Sequence, residues 1–256
     1  MFQVQHTNAD GIGYTARNYP DIINITYNHH IKNPLARYNV AVIFEPTPIV
    51  PISHINLTAL QEFDLVLSYR DDLSKLPNFR FMPFGTVWVD PYKEREKENI
   101  ISFLTSSKLM TPNHRFRYEV FDALVEHTSI NEFDIICKMT PPRIEKKDEI
   151  LDNSKFSIII ENDNSNNYFT EKIIDCFASK TIPIYYGCPN IEDFFDPGGI
   201  IKFNSLPELI NIICALTPED YDKSLGIVEN NFVESQKYFD VFDNIYKIIE
   251  REFYGK

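Results

Sequence analysis

The sequence lacks any excess of positive charge. Its 25 Lys and Arg stand against 37 Asp and Glu, a net charge of −12. A protein that grips a nucleic-acid backbone needs clustered Lys and Arg, so that role is excluded, although a local basic pocket for a small anion is not. Cysteine is scarce as well. Cys137, Cys176, Cys188 and Cys214 form no CxxC and no Cys/His pair at metal spacing. Three of them fall in apolar or helical stretches and read as small, reduced, buried thiols. No stretch reaches the roughly 18 apolar residues of a membrane span. The opening MFQVQHTNADGIGY has no basic start followed by an apolar run, as a signal peptide would. The chain is therefore expected to be cytoplasmic, or a soluble domain of a longer anchored protein. Its sequons at Asn24 and Asn56 read as chance matches.

Apolar material is plentiful: 43% of residues are hydrophobic and 14% aromatic, ample for a packed interior. Short apolar runs alternate with helical patterns, the signature of an α/β architecture. Strands are expected at 21–26, 39–44 and 63–68, each bounded by Pro, Asn or Asp. The charge-dense WVDPYKEREKEN at 88–99 reads as a linker, with a solvated helix start as its rival. Beyond it come strands at 100–104, 133–137, 156–160, 182–186 and 200–203. Helices are expected at 113–127, 170–180, 206–216 and 238–253. The simplest arrangement is two Rossmann-like domains facing a cleft, one at 1–95 and a second at 96–256 that includes the closing helix.

The most informative stretch is 156–187, FSIIIENDNSNNYFTEKIIDCFASKTIPIYYG. A continuous apolar run, as a strand covered on both faces requires, ends in Glu161, Asn162, Asp163 and Asn164. Ligands of open parallel sheets bind beyond the carboxyl ends of the strands, where these side chains fall. Thr170 suits a helix N-cap and Glu171 the first turn. Lys172 does not suit it: a first-turn cation opposes the helix dipole unless an anion such as a diphosphate binds there.

Glu161-Asn162, Tyr168-Phe169-Thr170-Glu171-Lys172 and Ile182-Pro183-Ile184-Tyr185-Tyr186-Gly187 strongly resemble the signature of glycosyltransferase family 10, the α-1,3/1,4-fucosyltransferases. Phe156 also falls where that signature has a phenylalanine. The resemblance implies a GT-B-like fold and a donor site. In that site Glu171 would hold the ribose hydroxyls of a nucleotide sugar and Lys172 its diphosphate. Glu161 and Asn162 would face the sugar and pyrophosphate, and Tyr168 would line the nucleotide pocket. Arg117-Tyr-Glu-Val-Phe-Asp-Ala-Leu124 resembles the family helix whose Arg contacts phosphate. Read from the residues, Arg117 lies early in an expected helix, on a face distinct from Phe116 and Val120. Its planar guanidinium suits phosphate.

Sugar transfer with inversion needs a base for the acceptor hydroxyl. Glu45 closes the run Val40–Phe44 and is followed by Pro46-Thr47-Pro48, which stops the strand and stiffens the loop. The family carries its base Glu at a comparable place, with a tighter motif after it. FDLVLSYRDD at 63–72 resembles another family segment and makes Arg70 a candidate for organising the cleft. No DxD stands at a strand end. Asp220-Tyr221-Asp222 reads as helix capping, so neither a metal site nor a cofactor is expected, and GDP-fucose would be a substrate. The expected activity is an inverting, metal-independent transfer of L-fucose to a glycan hydroxyl. The alternatives are another donor sugar on the same fold, or a non-catalytic binder of sugar nucleotides or glycans.

Overall fold

The computed structural model describes residues 5–7, 22–140 and 147–255. By its internal contacts the chain divides into two compact units, one formed by residues 1–84, 166–168 and 240–256, the other by residues 85–165 and 169–239.

The first unit is built on strands β1 (Gln5–Thr7), β2 (Ile23–Tyr27), β3 (Tyr38–Ile43), β4 (Leu65–Ser68) and β5 (Phe79–Phe81), with helix α1 (Leu57–Gln61) between β3 and β4. They pair in sequence order, and all four pairings are parallel. Strand alternation sends successive side chains to opposite faces. Ile23, Ile25, Val40, Val42, Leu65 and Leu67 share one core. Ala41, Ile43 and Val66 face the other way, onto Leu60, Phe63, Leu73 and Leu76. The strand expected at 21–26 begins at Ile23, and Asp21 lies outside the described residues.

The second unit opens with a stretch free of regular structure to residue 97; the segment 88–99, expected as a linker, lies within this unit and its last two residues begin the strand that follows. Then follow β6 (Glu98–Ser106), α2 (Pro112–Leu124), β7 (Ser129–Ile130), β8 (Phe133–Thr140), α3 (Asp148–Leu151), β9 (Ser154–Ile160), α4 (Glu171–Ala178), β10 (Ile182–Tyr186), β11 (Ile201–Lys202), α5 (Leu206–Ala215), α6 (Pro218–Lys223) and α7 (Leu225–Ser235). The six strands run in the order β11-β10-β9-β6-β8-β7, parallel except for the short β7–β8 hairpin. Because the sheet is covered on both faces, β9 is buried throughout. Phe156, Ile158 and Ile160 pack with Val120 and Leu124 of α2 and Leu209 and Ile213 of α5. Ile159 and Tyr185 pack with Ile173, Ile174 and Phe177 of α4.

The last helix, α8 (Val241–Tyr254), differs from expectation in its allegiance. Sequence order put it with the second domain, but it belongs to the first unit. Val241, Phe242, Ile245, Tyr246 and Ile249 form one apolar face that enters the core of Ile23, Val40 and Leu65. Burial of each such side chain contributes roughly 1.5–3 kcal/mol, which outweighs chain order. Asp240 caps the start of the helix, and Gly255, at φ 64°, ends it in the left-handed conformation that glycine adopts without strain. Of the thiols, three of which were expected to be buried, Cys176 and Cys188 are buried, Cys137 is half-buried and Cys214, on α5, is exposed. Helix α6 begins where Asp220 was read as helix capping, and α7 occupies a segment in which no element was expected. Among the described residues no helix is long and apolar enough to cross a membrane.

Candidate functional site

The chain leaves β9 at Ile160 and enters α4 at Glu171, so the connection 161–170 lies at the carboxyl end of a central strand of the second sheet. Glu161 is fully buried there. Its backbone N–H donates to Tyr186 O at 2.9 Å, continuing the β9–β10 ladder one step past the strand. Its Oε1 accepts from Thr170 N at 3.0 Å and its Oε2 from Thr170 Oγ1 at 2.7 Å. Thr170 is the N-cap of α4, as its residue type suggested. Lys172 Nζ donates to Thr170 Oγ1 at 2.9 Å and lies 3.4 Å from Glu161 Oε2 and 3.3 Å from Glu171 Oε1. A buried carboxylate is tolerated only when it is paired and hydrogen-bonded, and this one is both. Gly187 is required beside it: a Cβ there would stand 2.7 Å from Glu161 Cγ and 2.6 Å from Tyr185 Oη.

Arg117 reaches the same connection from α2 and is 4% exposed. Its Nε donates to Ile160 O at 2.9 Å, and Nη2 donates to the same carbonyl and to Asn162 Oδ1 at 2.8 Å. The face expected for it was wrong. The buried stripe of α2 runs Asn113, His114, Arg117, Val120 and Leu124, so Arg117 shares a face with Val120 while Phe116 is only partly buried. The stripe is apolar where it meets the core and polar where it passes the end of β9. Asn113 Nδ2 donates to Glu161 O at 3.1 Å and to Asn164 Oδ1 at 2.8 Å.

A second set of charges continues along α4. Lys147 Nζ donates to Asp175 Oδ2 at 2.9 Å and lies 3.5 Å from Glu171 Oε1. Burial opposes its charge, but Asp175 and Glu171 outweigh that and raise its pKa. Burial likewise opposes the charge of Glu171, and Lys172 and Lys147 reverse the effect, holding its carboxyl below the usual carboxylate range. For Asp175 burial prevails and the pKa rises. His114 is pushed down to about 4 by burial and by the Arg117, Lys172 and Lys108 charges. Its Nδ1 accepts from Thr111 N at 3.1 Å in a capping box.

The second unit thus brings Arg117, Glu161, Asn162, Thr170, Glu171 and Lys172 together. Tyr168 belongs to the first unit, buried with its ring 5.2 Å from that of Tyr69. Glu45 and Arg70 also belong to the first unit. The Glu45 backbone N–H donates to Asn28 Oδ1 at 2.9 Å, and its carbonyl accepts from Arg70 Nη1 at 3.4 Å. Arg70 Nη1 also donates to Val50 O at 2.7 Å, while Nε and Nη2 form a two-point pair with Asp72 at 3.0 and 2.7 Å. Arg70 therefore ties down the loop that carries Glu45. Sequence reasoning missed Asn28, Asn113, Lys147 and Asp175. Only Asp175 had a readable signal, as a lone charge among Ile, Cys and Phe. Asp220 accepts from Thr217 N and Oγ1 at 2.9 and 2.8 Å, a capping role as expected.

A parallel α/β sheet with polar and charged groups at the carboxyl end of a central strand sets them where open α/β sheets bind their ligands. The comparisons specify the family. Residues 94–254, more than half of the chain, match the family model of glycosyltransferase family 10 (fucosyltransferase) C-term, and the chain belongs to that family. It is similar to the alpha-(1,3)-fucosyltransferase FucT of Helicobacter pylori, with 32% identity over 138 residues covering 54% of this chain and 27% of that protein. It is also similar to an alpha-(1,4)-fucosyltransferase of Arabidopsis thaliana, with 24% identity over 140 residues covering 47% and 34%. The matched region thus spans about a quarter to a third of these relatives. Among solved structures the fold resembles an alpha1,3-fucosyltransferase with GDP, at TM-score 0.54 and 20% identity over 89% of this chain and 77% of that one. The fold is the expected GT-B-like kind.

Proposed function

We propose that the protein transfers L-fucose from GDP-fucose to a hydroxyl of a glycan, with inversion and without a metal ion. Family membership supports the transfer, and curated relatives named as fucosyltransferases support the sugar. The observation that carries the reading is the clamp at the start of α4, where buried Glu161 fixes Thr170 and gathers Lys172 beside the first turn. In this reading Glu171 takes the ribose hydroxyls, Lys172 and the α4 amides take the diphosphate, and Arg117 adds a second cation. Asn162 already accepts from Arg117 through Oδ1, so its amide nitrogen is the end that would donate to the donor. Tyr168 would line the pocket.

The bond from the sugar anomeric carbon to the β-phosphate oxygen breaks as the acceptor oxygen bonds from the opposite face. Glu45 takes the acceptor proton, and GDP leaves with the bonding pair. Charge developing on that oxygen is met by Lys172, Arg117 and the helix N-terminus. These groups could replace a divalent ion, and the DxD-like acids are engaged elsewhere, Asp220 in capping and Asp222 with Lys155 at 3.5 Å.

Titration calorimetry with GDP tests the pocket. Lys172→Ala and Arg117→Ala should each weaken binding at least tenfold, about 1.4 kcal/mol. Unchanged affinity in both would remove the phosphate assignment. Release of GDP from GDP-fucose on adding a glycan acceptor, measured in excess chelator, tests the reaction and its independence of metal.

A further inference from the structure

Trp88 is the chain's only tryptophan, and it is 56% exposed. An indole left in water is costly to hold in place, yet this one is firmly anchored. Its backbone N–H donates to buried Asp175 Oδ1 at 2.7 Å, the preceding Val87 N–H donates to Phe239 O at 3.3 Å, and the following Val89 is buried in the core around α4. One face of the ring is covered: Lys147 Nζ stands 4.2 Å from its centroid. The same ammonium lies 3.5 Å from Glu171 Oε1 and 2.9 Å from Asp175 Oδ2. A single cation therefore joins the indole to the carboxylate assigned above to the ribose. In a nucleoside the base is bonded directly to the ribose, so a base whose sugar sits on Glu171 needs a flat surface a few ångströms away. An anchored aromatic ring with a cation behind it is electron-poor on its open face, which favours stacking of an electron-rich purine.

Resting on the donor reading, we propose that the open face of Trp88, backed by Lys147, is the stacking surface for the purine base of the donor nucleotide. A stacked base depends on ring area, so a purine nucleoside diphosphate gains more from it than a pyrimidine one. Because Trp88 is the only tryptophan, emission excited at wavelengths that the 14 tyrosines do not absorb reports on this ring alone, without any substitution. Titrating the intact protein with GDP should lower that emission saturably, with the midpoint found by calorimetry. Trp88→Phe should bind GDP within about threefold of the parent, since it keeps a ring. Trp88→Ala, checked by circular dichroism for an unchanged fold, should lose at least tenfold, about 1.4 kcal/mol, and should lose less for UDP. If calorimetry shows GDP binding while emission stays constant and Trp88→Ala binds as tightly as the parent, the stacking surface is refuted and the donor pocket stands. If the parent binds no GDP at all, both fall.

Discussion

Each of the two units buries one arginine that the sequence marked out, and the two are held by different partners. Arg70, 3% exposed, donates through Nε and Nη2 to the Asp72 carboxylate and through Nη1 to two loop carbonyls. Arg117, equally buried, donates through Nε and Nη2 to the Ile160 carbonyl and the Asn162 side-chain oxygen. Asp72 cancels the charge it receives, whereas a carbonyl and an amide oxygen accept hydrogen bonds without carrying a full negative charge. The Arg70 pair orders the loop that presents Glu45. Arg117 is held at the end of β9 by these acceptors, where the proposal above sets a donor phosphate.

The largest test of this contrast lies on Glu45, the group that Arg70 would serve. Glu45→Gln keeps the shape of the side chain and removes its basicity. Transfer should fall at least about 100-fold, in the range typical of a lost general base, while GDP affinity measured by calorimetry stays within about twofold. Turnover near that of the parent would eliminate Glu45 as the base and leave Arg70 with a purely architectural task.

A somewhat smaller effect is expected from Arg70→Ala. It removes two carbonyl contacts and a charge pair whose acid is partly solvated, so a stability loss of about 2–4 kcal/mol is expected, below the full cost of orphaning a buried charge. Chemical denaturation measures it. GDP binding by the folded fraction should persist, in contrast to Arg117→Ala. If Arg70→Ala weakens GDP binding as much as Arg117→Ala does, the distinction between the two arginines collapses.

The two regions also differ in how legible they were. The turn from β9 into α4 could be read from the sequence because each level agreed: a doubly covered strand, polar residues at its end, a Thr cap and an out-of-place lysine. The face of Arg117 was misread because apolar periodicity counts Phe116, Val120 and Phe121, whereas the buried stripe of α2 turns polar at Asn113 and His114 where it leaves the core. Lys147 carried no signal, since one lysine in a charge-rich segment looks like any other. Its role depends on Asp175 and Trp88, which only the fold brings to it. Asn28 was hidden for a similar reason. At φ 58° it takes the left-handed conformation natural to a turn asparagine, but its Oδ1 accepts from Phe44 and Glu45, residues of the neighbouring strand's end. The closing helix joined the first unit because apolar faces select partners by fit, and nothing in local sequence records which sheet lies within reach.

The gentlest probe of the contrast is pH, because burial, together with the charges of Arg117 and its neighbouring lysines, suppresses protonation of His114. His114 has its pKa lowered to about 4 by burial and by Arg117, Lys172 and Lys108, against about 6.5 in an unfolded chain. Above pH 6.5 the ring is neutral in both states and contributes its full stability. As pH falls from 6.5 toward 4 the unfolded chain binds the proton first, so stability declines, and one proton limits the slope to about 1.4 kcal/mol per pH unit. Below 4 both states are protonated and the decline from this source ends. His114→Gln keeps a side chain suited to the third position of a capping box but cannot titrate. Urea unfolding of parent and variant should run at a constant offset above pH 6.5, and the variant should gain on the parent between 6.5 and 4. Parallel curves across that window would mean that neither burial nor the positive charge around Arg117 depresses the His114 ring, and would weaken the case for an electropositive pocket.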